Sequence, residues 1–106
     1  MKYRKGSSCY FVHIEKDEEI VERMIKLCET EQIECGTVSG IGAVSLVEAG
    51  IFFPQTKEYK KKLFQGDFEI VSLTGTITRK DNQPYLHLHI AFSDKEYAVY
   101  GGHLNS

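Results

Sequence analysis

One stretch of this chain repeats its apolar residues with the period of a helix, and the longer C-terminal part repeats them with the period of a strand. That switch limits the folds open to it. From Asp17 to about Gln32, the apolar residues Ile20, Val21, Met24, Leu27 and Cys28 recur at i, i+1, i+4, i+7 and i+8, the broad stripe of a helix lying on a core. Asp17, Glu18 and Glu19 crowd the first turn, where the helix dipole favours negative charge, and Glu19/Arg23 and Glu22/Lys26 have the spacing of i,i+4 ion pairs. Ahead of the helix, "SSCYFVHIE" alternates like a strand. Behind it, β-branched and aromatic residues come in short runs broken by Gly, Pro and Asn. These predict strands at roughly Cys35 to Ser39, Ala43 to Phe53, Tyr59 to Phe64, Asp67 to Thr78, Tyr85 to Phe92 and Tyr97 to Tyr100, with "RKDNQP" and "SDKE" as turns. The expected class is α+β: a strongly bent, mainly antiparallel β-sheet with one main helix packed on it.

At 106 residues, 42% hydrophobic and 26% charged, the chain has the size and composition of one globular domain. Its net charge of −2 argues against a protein that grips nucleic acid by neutralising phosphates alone. No stretch approaches membrane-spanning length, and Cys9, Cys28 and Cys35 are odd in number without C-x-x-C spacing. Reduced, buried thiols in a cytoplasmic protein are expected.

Three local features invite functional readings. "SGIGAVS" lacks the third glycine and following helix of a dinucleotide loop, so a tight strand-to-strand turn is expected at Gly40 and Gly42. "KEYKKKLF" splits Lys60 and Lys62 from Lys61 across the two faces of a strand, the pattern of a lysine-protected sheet edge. His13 stands alone in the first strand and reads as structural.

The other three histidines fall in "YLHLHIAFSDKEYAVYGGHLNS". His-x-His on a strand sends His87 and His89 to one face, with Cα atoms about 6.5 to 7 Å apart. A hairpin through "SDKE" would return His103 to the same end of the sheet, past a Gly101–Gly102 pair that permits close approach. Three neutral imidazoles suit zinc and leave a fourth position open. Spacing alone leaves this balanced against a polar hairpin that merely happens to be rich in histidine.

Taken together, "GTVSGIGAVS", "FEIVSLTGTI" and "PYLHLHIAFSDKEYAVYGGHL" resemble the PPC domain, the plants-and-prokaryotes-conserved domain, in order and spacing from about Tyr10 onward. The resemblance implies a single domain over residues 8–106 with an N-terminal extension at 1–7, a fold related to acetolactate decarboxylase, and assembly as a homotrimer. It further implies His87, His89 and His103 as metal ligands, zinc as the metal, and Glu69 of "FEIVSL" as a nearby acid that orients a ligand or serves as a catalytic base. Plant members carry the domain behind an AT-hook in nuclear DNA-binding proteins, and stand-alone prokaryotic members are conjecturally described as DNA-binding. This chain departs from the pattern in three ways: it has no Arg-Gly-Arg-Pro core, it has His13 where an arginine is common, and it stops at Ser106, short of the further strand usual after "GGHL". An unpaired sheet edge is expected there, covered by a partner chain or left open in a shortened member.

Two functions are expected on these grounds. One is an oligomeric, DNA-associated regulatory module, acting on DNA directly or through partners, with a three-histidine zinc site. The other is a zinc-dependent lyase or hydrolase for a small carboxylate or carbonyl substrate.

Overall fold

A computed structural model describes residues 1–106. In chain order the elements are β1 (Lys2–Lys5), β2 (Tyr10–His13), α1 (Ile20–Thr30), β3 (Gly36–Phe53), β4 (Glu58–Lys80), β5 (Gln83–Ser93) and β6 (Val99–Leu104). Every strand pairing is antiparallel. Strands β3, β4, β5 and β6 close on one another as a barrel, and β1 and β2 form a separate two-stranded sheet. The α+β class, with its strongly bent sheet and one helix, is thus the observed one.

The helix starts later than its acidic run suggests. Asp17 takes a φ of 69°, and Glu19 is the N-cap, its carboxylate accepting the Glu22 N–H at 2.7 Å. Arg23 therefore pairs with Glu18, at 3.0 Å, rather than with the expected Glu19. The apolar stripe behaves as its period requires: Met24, Leu27 and Cys28 are buried, and Ile20 and Val21 pack against the main core. That core is built from Val47, Ala49, Phe68, Ile70, Leu73, Leu88, Ile90, Phe92 and Leu104, so all four barrel strands contribute to it.

The residue pattern predicts six strands after the helix, and four form. The breaks assigned to turns are β-bulges inside two long strands: the β3–β4 register slips between Gly40 and Gly42 and again between Val44 and Leu46. Gly42 and Gly66 hold φ angles of 155° and 156°, which side chains rarely adopt, so glycine is needed at these bulges even though no chain reversal occurs there. Residues 2–5, within the stretch expected as an N-terminal extension, form β1, and the Tyr3 hydroxyl donates to Glu31 at 2.9 Å beyond the end of α1. The cysteines also differ from expectation. All three are free, but only Cys28 is buried, while Cys9 and Cys35 are exposed.

Candidate metal centre

Strand β5 alternates strictly: Leu88, Ile90 and Phe92 turn into the core, and His87 and His89 turn out to solvent. The "SDKE" reversal is pinned by Asp94, whose carboxylate accepts the N–H groups of Glu96 and Ala98 at 2.9 and 3.0 Å. It sends β6 back along β5 in a register that sets His103 directly opposite His89. His103 also pairs with Gly50 on β3, so the third histidine sits where the barrel closes.

The three imidazoles converge. Ring centroids lie 5.1 Å apart for His87–His89, 5.2 Å for His87–His103 and 6.0 Å for His89–His103. One nitrogen from each ring lies within 4.8 Å of the others, with His87 and His89 exposed and His103 half-buried. Two zinc–nitrogen bonds at a tetrahedral angle set nitrogens about 3.3 Å apart, so modest side-chain rotation would bring this donor set to a metal. Burial lowers the His103 pKa below its ordinary 6.5, and the charges of His87 and then His89 lower it further. At neutral pH His103 therefore carries a free lone pair, as a ligand must.

Tyr59 completes the surroundings, and no local pattern in the sequence points to it. Far from His103 along the chain, its ring nevertheless stands edge-on to that imidazole at 6.0 Å. Its ring covers Gly50, where any side chain would collide with the phenol, and its hydroxyl donates to Asn105 Oδ1 at 2.8 Å. On the other flank Tyr85 approaches His87 at 6.4 Å. Across β4, Thr74 pairs with His89 and Thr76 with His87.

Glu69 is not brought to the histidines. It lies opposite Ser93, four positions from His89 on β5, a separation of about 13 Å along the strand. His13 is in the separate β1–β2 sheet, opposite Lys2. Lys60, Lys61 and Lys62 stand on the half of β4 that pairs with β3 alone, so their open edge carries lysines as expected. Two of them also cover aromatic rings, Lys60 over Phe53 at 5.2 Å and Lys62 over Phe64 at 4.9 Å. No helix is long and apolar enough to cross a membrane.

Comparison with solved structures supports the same fold. A protein of Bacteroides thetaiotaomicron, named for a conjectured DNA-binding role, is 38% identical with a TM-score of 0.94, over 97% of this chain and 72% of that one. The plant- and prokaryote-conserved protein of Pyrococcus horikoshii is 34% identical, TM-score 0.83, over 87% of this chain and 64% of that one. A protein of Archaeoglobus fulgidus described as metal-containing is 34% identical, TM-score 0.81, over 86% and 64% respectively. No curated protein matches the chain. The family model of the Plants and Prokaryotes Conserved (PCC) domain matches residues 1–106, and the chain belongs to that family.

Proposed function

We propose that this chain is a zinc-bearing module of DNA-associated regulation, with His87, His89 and His103 around one ion, working as a cytoplasmic homotrimer. The observation that carries the metal is the convergence of three imidazole nitrogens within 4.8 Å on one sheet face. Three histidines without thiolates suit zinc, and the Archaeoglobus relative described as metal-containing supports a metal in this fold. The DNA association draws on the name of the Bacteroides relative. In this chain it would rest on the β3–β4 hairpin, where Lys57, Lys60, Lys61 and Lys62 stand beside the exposed rings of Phe52, Phe53 and Tyr59. A net charge of −2 makes that patch, or a partner, necessary.

A second reading is favoured by the same geometry. Three protein ligands leave a fourth position for water or substrate, the arrangement of catalytic rather than structural zinc. Zinc bound there would polarise a carbonyl or lower the pKa of a bound water, which suits a lyase or hydrolase acting on a small carboxylate or carbonyl compound. Tyr59, its hydroxyl held by Asn105 beside His103, is then one hydroxyl anchored for contact with a substrate.

Metal analysis of protein purified without chelators tests the shared premise. About one zinc per chain is expected, falling to background in His87→Ala and His103→Ala. A metal-free wild type would remove both readings. If metal is present, anisotropy with duplex DNA at low salt and a panel of small carbonyl substrates separate the two.

A further inference from the structure

The three histidines share one face of the sheet with the aromatic and basic end of the β3–β4 hairpin. Residues directly opposite in an antiparallel ladder project to the same face, as do residues two apart along a strand. His89 stands opposite His103, His103 opposite Gly50, and Gly50 opposite Lys61. Two positions nearer the hairpin tip, Phe52 stands opposite Tyr59. Phe52, Tyr59 and Lys61 therefore rise from the same surface as the imidazoles.

A cross-strand aromatic pair steadies a hairpin, but this pair also leaves ring surface free: Phe52 is 56% exposed and Tyr59 42%. The Tyr59 ring lies across Gly50 with its hydroxyl held by Asn105 at 2.8 Å, so one side rests on backbone and the other meets solvent. The His103 imidazole stands nearly perpendicular to it, at 85° and 6.0 Å between centroids. The two rings make a corner, with an aromatic floor and an imidazole wall. Lys61 adds a cation to that face. Its side chain is 55% exposed, and its one ion partner, Glu48, is 3.8 Å away, a surface pair loose enough to be exchanged for another anion.

We propose that this face binds a nucleotide, free or as the unit of a single strand, with the base stacked on Tyr59 and Phe52 and the phosphate between Lys61 and the three histidines. The phosphate's contact at the histidines rests on the metal site proposed above, whereas the stacking does not depend on it. Aromatic floors hold unpaired bases whatever their sequence, because every base has a π-face, and lysines beside them take the backbone charge. A duplex offers no such face, since its bases are already stacked on one another.

The probes are AMP, adenosine and inorganic phosphate, titrated into the intact protein and followed by amide NMR, with metal content measured on the same sample. AMP is expected to bind at least about tenfold more tightly than either of the others, with shifts between Gly50 and Leu63 and at the histidines. Phe52→Ala with Tyr59→Leu should cost about tenfold in AMP affinity and leave phosphate binding unchanged. Tyr59→Phe keeps the ring and should bind AMP as the wild type does. Lys61→Ala should cut the advantage of AMP over adenosine at least about threefold. An oligothymidylate of about eight residues separates the two sources: much tighter binding than dTMP identifies single strands, and equal binding per nucleotide identifies free nucleotides. Metal-bearing protein that holds AMP no better than inorganic phosphate would overturn the inference and leave the metal site standing, and AMP stacking on metal-free protein would do the reverse. A duplex bound as tightly as the single strand would also overturn it. So would AMP affinity that falls as protein concentration rises, which would assign the two rings to a second copy.

Discussion

His103 decides the candidate centre, because it alone of the three histidines comes from β6 and is half-buried where the barrel closes. Its pKa lies below 6.5, so the folded chain binds fewer protons there than the unfolded chain does. Acid therefore favours unfolding at this residue, with stability lost as pH falls below the unfolded value of about 6.5. Ligation has the same sign, since all three imidazoles must be neutral to hold a metal. Metal retained after dialysis should be full at about pH 7.5 and fall steeply between about pH 6.5 and 5. A flat profile across that interval would mean that the histidines are not the ligands. Tyr59→Phe separates metal binding from the surrounding hydrogen bonds. It removes only the bond to Asn105, so metal content should stay unchanged while stability drops by about 1 kcal/mol or less in chemical denaturation.

Among the elements, the spacing of β4 and β5 is set by Gly75. A Cβ there would run into the carbonyl oxygen of His87 and come within 2.8 Å of Leu88 Cα, both backbone atoms that cannot swing aside. Gly75→Ala should cost more than about 2 kcal/mol and loosen the metal, because the strand bearing His87 must retreat. Gly36→Ala meets nothing closer than Ile77 Cδ1 at 4.0 Å and should stay within about 0.5 kcal/mol of wild type, which makes it the control in the same denaturation series. Much of this layer was legible in the sequence. The helical stripe and the Leu-His-Leu-His alternation of β5 state which face is buried, because burial itself imposes the period. Gly40–Gly42 was legible only as an interruption, since a turn and a bulge both call for glycine and only pairing with β4 tells them apart. Tyr59 was not legible at all: its place beside His103 results from β3 carrying Gly50 to β6, a contact that no local pattern records. The distance of Glu69 from the histidines was hidden for a related reason. The motif of Glu69 placed it on the right sheet, but the register that separates it from His89 is set across strands.

Across the whole molecule, only 14 of 106 residues are buried, a thin core for a chain of this length, so bound metal should matter to stability. At a free zinc concentration of about 100 Kd, binding to the folded state alone adds about 2.7 kcal/mol. With a domain of this size shifting about 4 to 8 °C per kcal/mol, EDTA should lower Tm by roughly 10 to 20 °C. The same chelator should leave His103→Ala unmoved. The DNA reading also belongs to this scale, because it sets one basic hairpin against a net charge of −2. If Lys57, Lys60, Lys61 and Lys62 each meet a phosphate, log Kobs should fall with log salt with a slope of about −3.6, and Lys60→Ala with Lys62→Ala should reduce it to about −1.8. Lys61 is the least free of the four, lying 3.8 Å from Glu48, so a slope nearer −2.7 would mean that it stays with that carboxylate. Anisotropy with a random-sequence duplex between about 20 and 200 mM salt measures this directly. Absence of binding even at the lowest salt, where phosphate contacts are strongest, would leave DNA to a partner protein and turn attention to the open fourth position beside the histidines.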